Sequence, residues 1–202
     1  MCSPGPFYFE TSVRGSGYRR IAGVDEAGRG PLAGPVVAAA VILPEGEMLA
    51  GVTDSKQMSA EARKKAFETI TKRAVSVAVG VVSHRYIDKN NILRATLEAM
   101  RRAAAALDPG PDFLLVDGIN KVPLPIRQLC IKKGDRRSMS ISAASVIAKV
   151  YRDRIMEAYH GQFPDYGFNA HKGYGTAMHL AALRCLGPCS VHRTSFKGVL
   201  NP

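Results

Sequence analysis

Cysteine is scarce in this chain, with only Cys2, Cys130, Cys185 and Cys189 among 202 residues. So low a density excludes a small disulfide-stapled secreted scaffold and points to a reducing compartment. Long apolar runs are missing too. No uninterrupted stretch approaches the ~20 residues that span a bilayer. The first residues show no charged-then-apolar signal pattern. A soluble, cytoplasmic protein is the expectation. Internal repeats and low-complexity tracts are absent as well. Acidic residues are few: 17 Asp and Glu against 28 Lys and Arg, a net charge of +11. That imbalance favours a polyanionic partner, the alternative being a merely basic soluble protein. The hydrophobic content of 46% is ample for a core, and the length suits one domain with a short appendage.

The chain is organised around the stretch from Ile21 to Pro35. An apolar lead-in reaches two adjacent carboxylates, Asp25 and Glu26. A turn, Gly28-Arg29-Gly30, follows, and then a second apolar run from Val36 to Leu43. The pattern reads as strand, active turn, strand. Gly28 and Gly30 leave the backbone bare enough for a phosphate or sugar to approach, and Arg29 adds a forked cation suited to phosphate. An ordinary structural turn is the alternative, since Asp, Glu and Gly are common turn residues.

Residues 1–17 are rich in Ser, Pro and Gly and read as a flexible arm, with Phe7, Tyr8 and Phe9 available to dock on the body. Residues 18–202 read as one catalytic domain. Ser59 is placed to cap a helix with Ala62, Ala66, Ile70 and Ala74 on one face. Val75, Val77, Val79 and Val81 alternate as a strand. Asn90 or Asn91 caps a second helix, with Leu93, Leu97, Met100, Ala104 and Leu107 as its apolar stripe. Short strands at 113–116 and 129–131 deliver Asp117 and then the Lys132-Lys133-Gly134-Asp135 turn. A long helix from about Ser140 to Tyr159 would turn Ile141, Ala144, Ala148, Tyr151 and Ile155 inward. One more helix spans about 176–185. Strands and helices mix as in an α/β domain, whose sites form at strand ends.

Three of those strand ends carry carboxylates: Asp25 with Glu26, Asp117, and Asp135. Such hard oxygen ligands suit Mg²⁺ or Mn²⁺ and a two-metal phosphodiesterase, whose ions lie about 3.5–4 Å apart. Eight Lys or Arg between Arg127 and Arg154 would offset the repulsion between these acids and nucleic acid. Asp153, between Arg152 and Arg154 inside the long helix, reads as an ion-pair member rather than a fourth ligand. In His171-Lys172-Gly173-Tyr174-Gly175-Thr176, glycines flank a ring that can meet a sugar or base, the alternative being a loop whose Tyr packs on the core. Cys185, Cys189 and His192 lack an obvious fourth zinc ligand. The spacing of His171, His179 and His192 matches no compact metal site.

The ordered set of motifs resembles bacterial ribonuclease HII, a type 2 ribonuclease H. The carrying residues are Gly23-Val24-Asp25-Glu26-Ala27-Gly28-Arg29-Gly30, Asp54-Ser55-Lys56, Val116-Asp117-Gly118, Lys133-Gly134-Asp135, Ser142 to Val150, His171 to Thr176, and His192-Arg193-Thr194-Ser195-Phe196. They run in family order from about residue 20 to 197. The resemblance implies a ribonuclease H-like fold: a five-stranded mixed sheet flanked by helices, with a small C-terminal helical extension. It implies an endonuclease that cuts the RNA strand of RNA–DNA hybrids and cuts 5′ to ribonucleotides in duplex DNA, using two Mg²⁺ or Mn²⁺ ions and leaving 3′-hydroxyl and 5′-phosphate ends. Asp25, Glu26, Asp117 and Asp135 would be the metal-binding catalytic set. Gly28, Arg29, Gly30, Lys56, Lys149 and Tyr174 would contact the substrate, Tyr174 stacking on the sugar at the RNA-to-DNA junction. The partners implied are RNA–DNA hybrid and ribonucleotide-containing DNA, engaged by a monomer. The competing readings are another carboxylate-metal nuclease of the same broad fold, such as a ribonuclease HIII-type enzyme, and a non-enzymatic basic nucleic-acid-binding module.

Overall fold

The computed structural model describes residues 5–49 and 58–201. Five strands, β1 (Ile21–Ala27), β2 (Val36–Ile42), β3 (Ser76–Val82), β4 (Phe113–Asp117) and β5 (Arg127–Ile131), make one sheet in the order β3-β2-β1-β4-β5. β1, β2 and β3 pair antiparallel. β4 lies parallel to β1, and β5 parallel to β4. β2 is a continuous apolar run, buried along its whole length, because it lies inside the sheet with helices on both faces.

The helices among the described residues are α1 (Tyr8–Gly15), α2 (Ala60–Arg73), α3 (His84–Asn90), α4 (Ile92–Ala105), α5 (Met139–Gln162), α6 (Phe168–His171) and α7 (Ala177–Leu186). Their starts follow the expected chemistry. Ser59 accepts from the Ala62 N–H, Asn91 from Arg94, Ser138 from Ile141 and Thr176 from His179, each satisfying a donor the first helical turn leaves open. α4 covers one face of the sheet, packing on Ala22, Val24, Ala38 and Val116. α2 and α5 cover the other, around Ala39, Val41, Ala143 and Ile147. α6 and α7 form the expected C-terminal extension around Tyr166, Phe168 and Leu183.

Two helix faces differ from the sequence expectation. On α4 the buried side chains are Ala95, Thr96, Ala99, Met100, Ala103 and Ala104, while Leu93 is exposed. A Cβ at Gly80 of β3 would lie 2.0 Å from the Ala99 carbonyl oxygen; helix and sheet approach so closely that small residues face the strands. On α5 the stripe holds through Ile141, Ala144 and Ala148, then passes to Arg152 and Met156, leaving Tyr151 exposed. Beyond Ala148 the helix faces backbone carbonyls of the loop after β1, which need donors rather than an aromatic ring.

The stretch expected to be a flexible arm contains α1. Its Glu10 is buried, and one carboxylate oxygen accepts from Ser138 Oγ at 2.6 Å, Ser140 N at 3.0 Å and Ser140 Oγ at 2.7 Å. Met139 N–H also donates to the Pro6 carbonyl. The arm is thereby fastened to the start of α5.

Candidate active site

The carboxylates converge because two parallel strands end side by side. Val24 of β1 pairs with Val116 of β4, so Asp25 and Asp117 follow at the same level. Asp25 lies on the α5 side of the sheet and is 3% exposed. The start of α5 presses on β1 nearby, where a Cβ at Gly23 would sit 2.0 Å from the Ser140 carbonyl carbon. Burial, then the charges of Glu26 and Asp117, push the Asp25 carboxyl well above the usual carboxylate range, against the pull of hydrogen bonds from Ser145 and the Glu26 N–H. Glu26 reaches Arg29 at 3.3 Å. Asp117 accepts the Gly134 N–H at 2.7 Å. That bond ties the end of β4 to the 3-10 turn Gly134–Arg136, which brings the buried Asp135 to the same end of the sheet.

No group of three or more His, Cys, Asp or Glu side chains among the described residues forms a ready-made metal cage. The donor chemistry nevertheless fits a divalent cation. Asp25 is held against protonation-favouring burial and against two neighbouring negative charges, and a bound cation would reverse that penalty. The oxygens are hard ligands of the type Mg²⁺ and Mn²⁺ prefer.

Beside the acids opens a cleft of about 220 Å³ lined by Glu26, Ala27, Gly28, Arg29, Gly30, Ser145, Lys149 and Tyr174. The structure thus brings together Gly28, Arg29, Gly30, Lys149 and Tyr174 from three separate segments. Lys56 lies outside the described residues. Lys149 donates to Asp153 at 2.6 Å, and Arg63 stands 3.9 Å from the same carboxylate, so Asp153 has the ion-pair role expected of it. Burial lowers the Lys149 ammonium below its ordinary range, with Asp153 pulling the other way. Tyr174 is 45% exposed. Its ring stands close to Gly30, where a Cβ would be 3.8 Å from a ring carbon.

The Tyr174 loop is fixed from behind by histidines. Their spacing shows no compact site, yet the fold stacks His171 on His179 with centroids 4.4 Å apart and brings His179 Nε2 within 3.0 Å of His192 Nε2. A carbonyl only accepts, so His179 Nδ1–H donates to the Tyr174 oxygen at 2.9 Å. His179 Nε2 then accepts from His192 Nε2–H, and His192 Nδ1 accepts from the Cys189 N–H at 2.9 Å. His171 accepts from the Gly173 N–H and donates to the Tyr166 carbonyl. Each ring in this chain is neutral, and burial lowers all three pKa values, that of His192 to about 4. Cys189 Sγ contacts His192, and Cys185 is exposed.

Arg152 and Arg193, neither of them among the expected site residues, lie buried under the cleft. Arg152 occupies the inward position one helical turn after Ala148 and one before Met156. A charge at that periodicity was the available signal.

A family model described as Ribonuclease HII matches residues 22–199. The chain is 57% identical over 194 residues to a ribonuclease HII of Syntrophotalea carbinolica, covering 96% of this chain and 93% of that protein. It is 57% identical over 196 residues to one of Geobacter sulfurreducens, covering 97% and 90%. Among solved structures, the ribonuclease H2 of Pyrococcus horikoshii superposes with a TM-score of 0.78 at 25% identity, over 90% of this chain and 95% of that one. Bst-RNase HIII in complex with Mn²⁺ shares the fold at a TM-score of 0.70 and 21% identity, over 89% and 68%.

Proposed function

The chain belongs to the ribonuclease HII family and is a ribonuclease H-type endonuclease acting on RNA strands; from that premise we propose how its own residues do the work. Asp25, Glu26, Asp117 and Asp135 hold the divalent ions, Mg²⁺ or Mn²⁺. Two such ions, when bound, supply an activated water and neutralise charge on the leaving oxygen. The observation that carries this reading is the convergence of Asp25 and Asp117 at the ends of β1 and β4 beside the 220 Å³ cleft. Ser145 orients Asp25 through its hydroxyl, and the Gly134 N–H orients Asp117. Gly28, Arg29 and Gly30 receive the ribonucleotide and its phosphate. Tyr174 packs on the following sugar, and Lys149, with Lys56, meets the backbone. The substrates are RNA–DNA hybrid and duplex DNA with embedded ribonucleotides, cut 5′ to the ribonucleotide by a monomer. The free Cys130, Cys185 and Cys189 suit the reducing cytoplasm, and no helix among the described residues is long and apolar enough to cross a membrane.

The test is cleavage of a duplex carrying one ribonucleotide, compared with all-DNA duplex and continuous hybrid, by wild type and Tyr174→Ala. Wild type should cut the first and third substrates and leave all-DNA intact. Tyr174→Ala should lose about one to two decades of efficiency on the single-ribonucleotide duplex and less on the hybrid, which lacks the deoxyribose that the ring meets. An equal loss on both substrates would make Tyr174 a packing residue.

A further inference from the structure

Arg152 and Arg193 are the largest side chains fully buried among the described residues, each with 0% exposure. A buried guanidinium ordinarily takes a carboxylate partner, because an unpaired buried charge is costly. Here every hydrogen bond that either makes among the described residues goes to a backbone carbonyl. Arg152 donates to Ala33 at 3.1 Å, Pro35 at 3.1 Å and Lys172 at 2.9 Å. Arg193 donates to Gly28 at 2.6 Å, Arg29 at 2.9 Å, Gly34 at 2.9 Å and Pro35 at 3.1 Å. Asp88 and Asp153 act on them only through space. Burial lowers the two guanidinium pKa values to about 10 and about 9, so both stay charged at neutral pH.

The consequence lies on the other side of each peptide. The one cis peptide among the described residues is Asp108-Pro109, so the peptides after Gly28 and Arg29 are trans. A trans peptide points its N–H opposite to its C=O. With the Gly28 and Arg29 oxygens turned in toward Arg193, the N–H groups of Arg29 and Gly30 point away from it. Neither N–H makes a hydrogen bond among the described residues, and both residues line the cleft with Ser145, Lys149 and Tyr174. Gly28 also has no room for a side chain, since a Cβ there would lie 2.0 Å from Arg152 Nε.

We propose that Arg152 and Arg193 are positioning residues. By holding the carbonyls of the 28–35 loop inward, they aim the Arg29 and Gly30 N–H groups at a backbone phosphate of the nucleic-acid strand being cut. They also place two unpaired positive charges behind that loop. This rests on the reading of the cleft as the nucleic-acid site. Because Arg152 also bonds Lys172, the pair ties the loop to the segment that carries Tyr174.

Two measurements test it. The first is affinity for a one-ribonucleotide duplex and for all-DNA duplex, with Ca²⁺ replacing Mg²⁺, for wild type, Arg152→Lys and Arg193→Lys. Lysine keeps the charge but cannot serve three or four carbonyls at fixed angles. Both affinities should fall about tenfold, the loss of one well-made phosphate contact, in variants that still melt cooperatively. A merely structural role lowers the melting temperature and leaves the affinity of the folded protein unchanged, which would overturn the proposal. The second needs no variant and decides the matter if those proteins do not fold. In the wild-type protein, the amide resonances of Arg29 and Gly30 should exchange fast with solvent and shift on titration with inorganic phosphate. Slow exchange, or no shift, overturns the proposal even if the enzyme cuts. A shift in a protein that does not cut ribonucleotide duplexes upholds the loop geometry and rejects the cleavage reading instead.

Discussion

At the residue scale, the catalytic role proposed for Asp25 and the stability of the fold pull apart. Its pKa is raised in the folded protein by burial and by Glu26 and Asp117. A raised acid pKa means the folded state resists ionisation, so above the unfolded carboxylate range Asp25 costs the metal-free fold stability, and the penalty is relieved as pH falls back toward that range. Asp25→Asn should therefore raise the melting temperature in the presence of chelator, each kcal/mol gained showing as about 2–4 °C. The same variant should lose cleavage at saturating Mg²⁺. A lower melting temperature in chelator would mean that the carboxylate is a structural anchor. That Asp25, Glu26 and Asp117 stand at strand ends was legible in the sequence because apolar runs end on them, and Asp135 was legible as the acid of the turn after the last strand. Arg152 was legible only as a charge at an inward helical position: beside Asp153 and Arg154 it reads as part of a solvated face, and only the tertiary position of the 28–35 loop explains why it turns inward.

At the element scale, the histidine chain behind Tyr174 makes that loop acid-sensitive. A lowered histidine pKa means protons bind the unfolded state more tightly. The stabilisation is present above the unfolded value near 6.5 and is lost as pH falls toward the folded value, about 4 for His192. That single group represents on the order of 3 kcal/mol across the window. Protonation of His192 puts an N–H on Nδ1, against the Cys189 N–H that this nitrogen otherwise accepts. The melting temperature of wild type should drop between pH 6.5 and 4, more steeply than that of His192→Asn; parallel curves would refute the linkage. Asp25 works in the opposite sense, so the comparison with the variant isolates His192. The elements themselves were mostly readable from caps and apolar runs, as at Ser59 and at Asn90 or Asn91. α1 was not, because its short segment lies among Ser, Pro and Gly and is held by the long-range bonds of Glu10. The histidine cluster was hidden for the same reason: His171, His179 and His192 meet only through tertiary packing.

At the scale of the whole molecule, the +11 charge should make duplex binding fall with salt, by roughly 0.9 in log–log slope for each phosphate neutralised. The basic run from Arg127 to Arg154 does not form one face. Arg127 lies on the edge strand β5, Arg136 in the 3-10 turn, and Arg152 inside the protein. Lys132→Gln with Lys133→Gln, both residues exposed, should lower the slope by no more than about two. An unchanged slope in that double variant would remove this edge from the footprint. The overall architecture was predictable from the alternation of strand and helix patterns. The distribution of charge over it was not, since sequence proximity says nothing about which side of a sheet a residue faces.

Arg193 has a consequence in time as well as in space. It bonds carbonyls some 160 positions earlier in the chain, and Thr194 and Ser195 clasp Asp88 on α3. On a ribosome, the strands that carry Asp25 and Asp117 emerge long before their support does. Until Arg193 is translated the Gly28, Arg29 and Gly34 carbonyls lack their guanidinium partner, so a nascent chain that stops short of it holds its acids beside a loop braced by Arg152 alone.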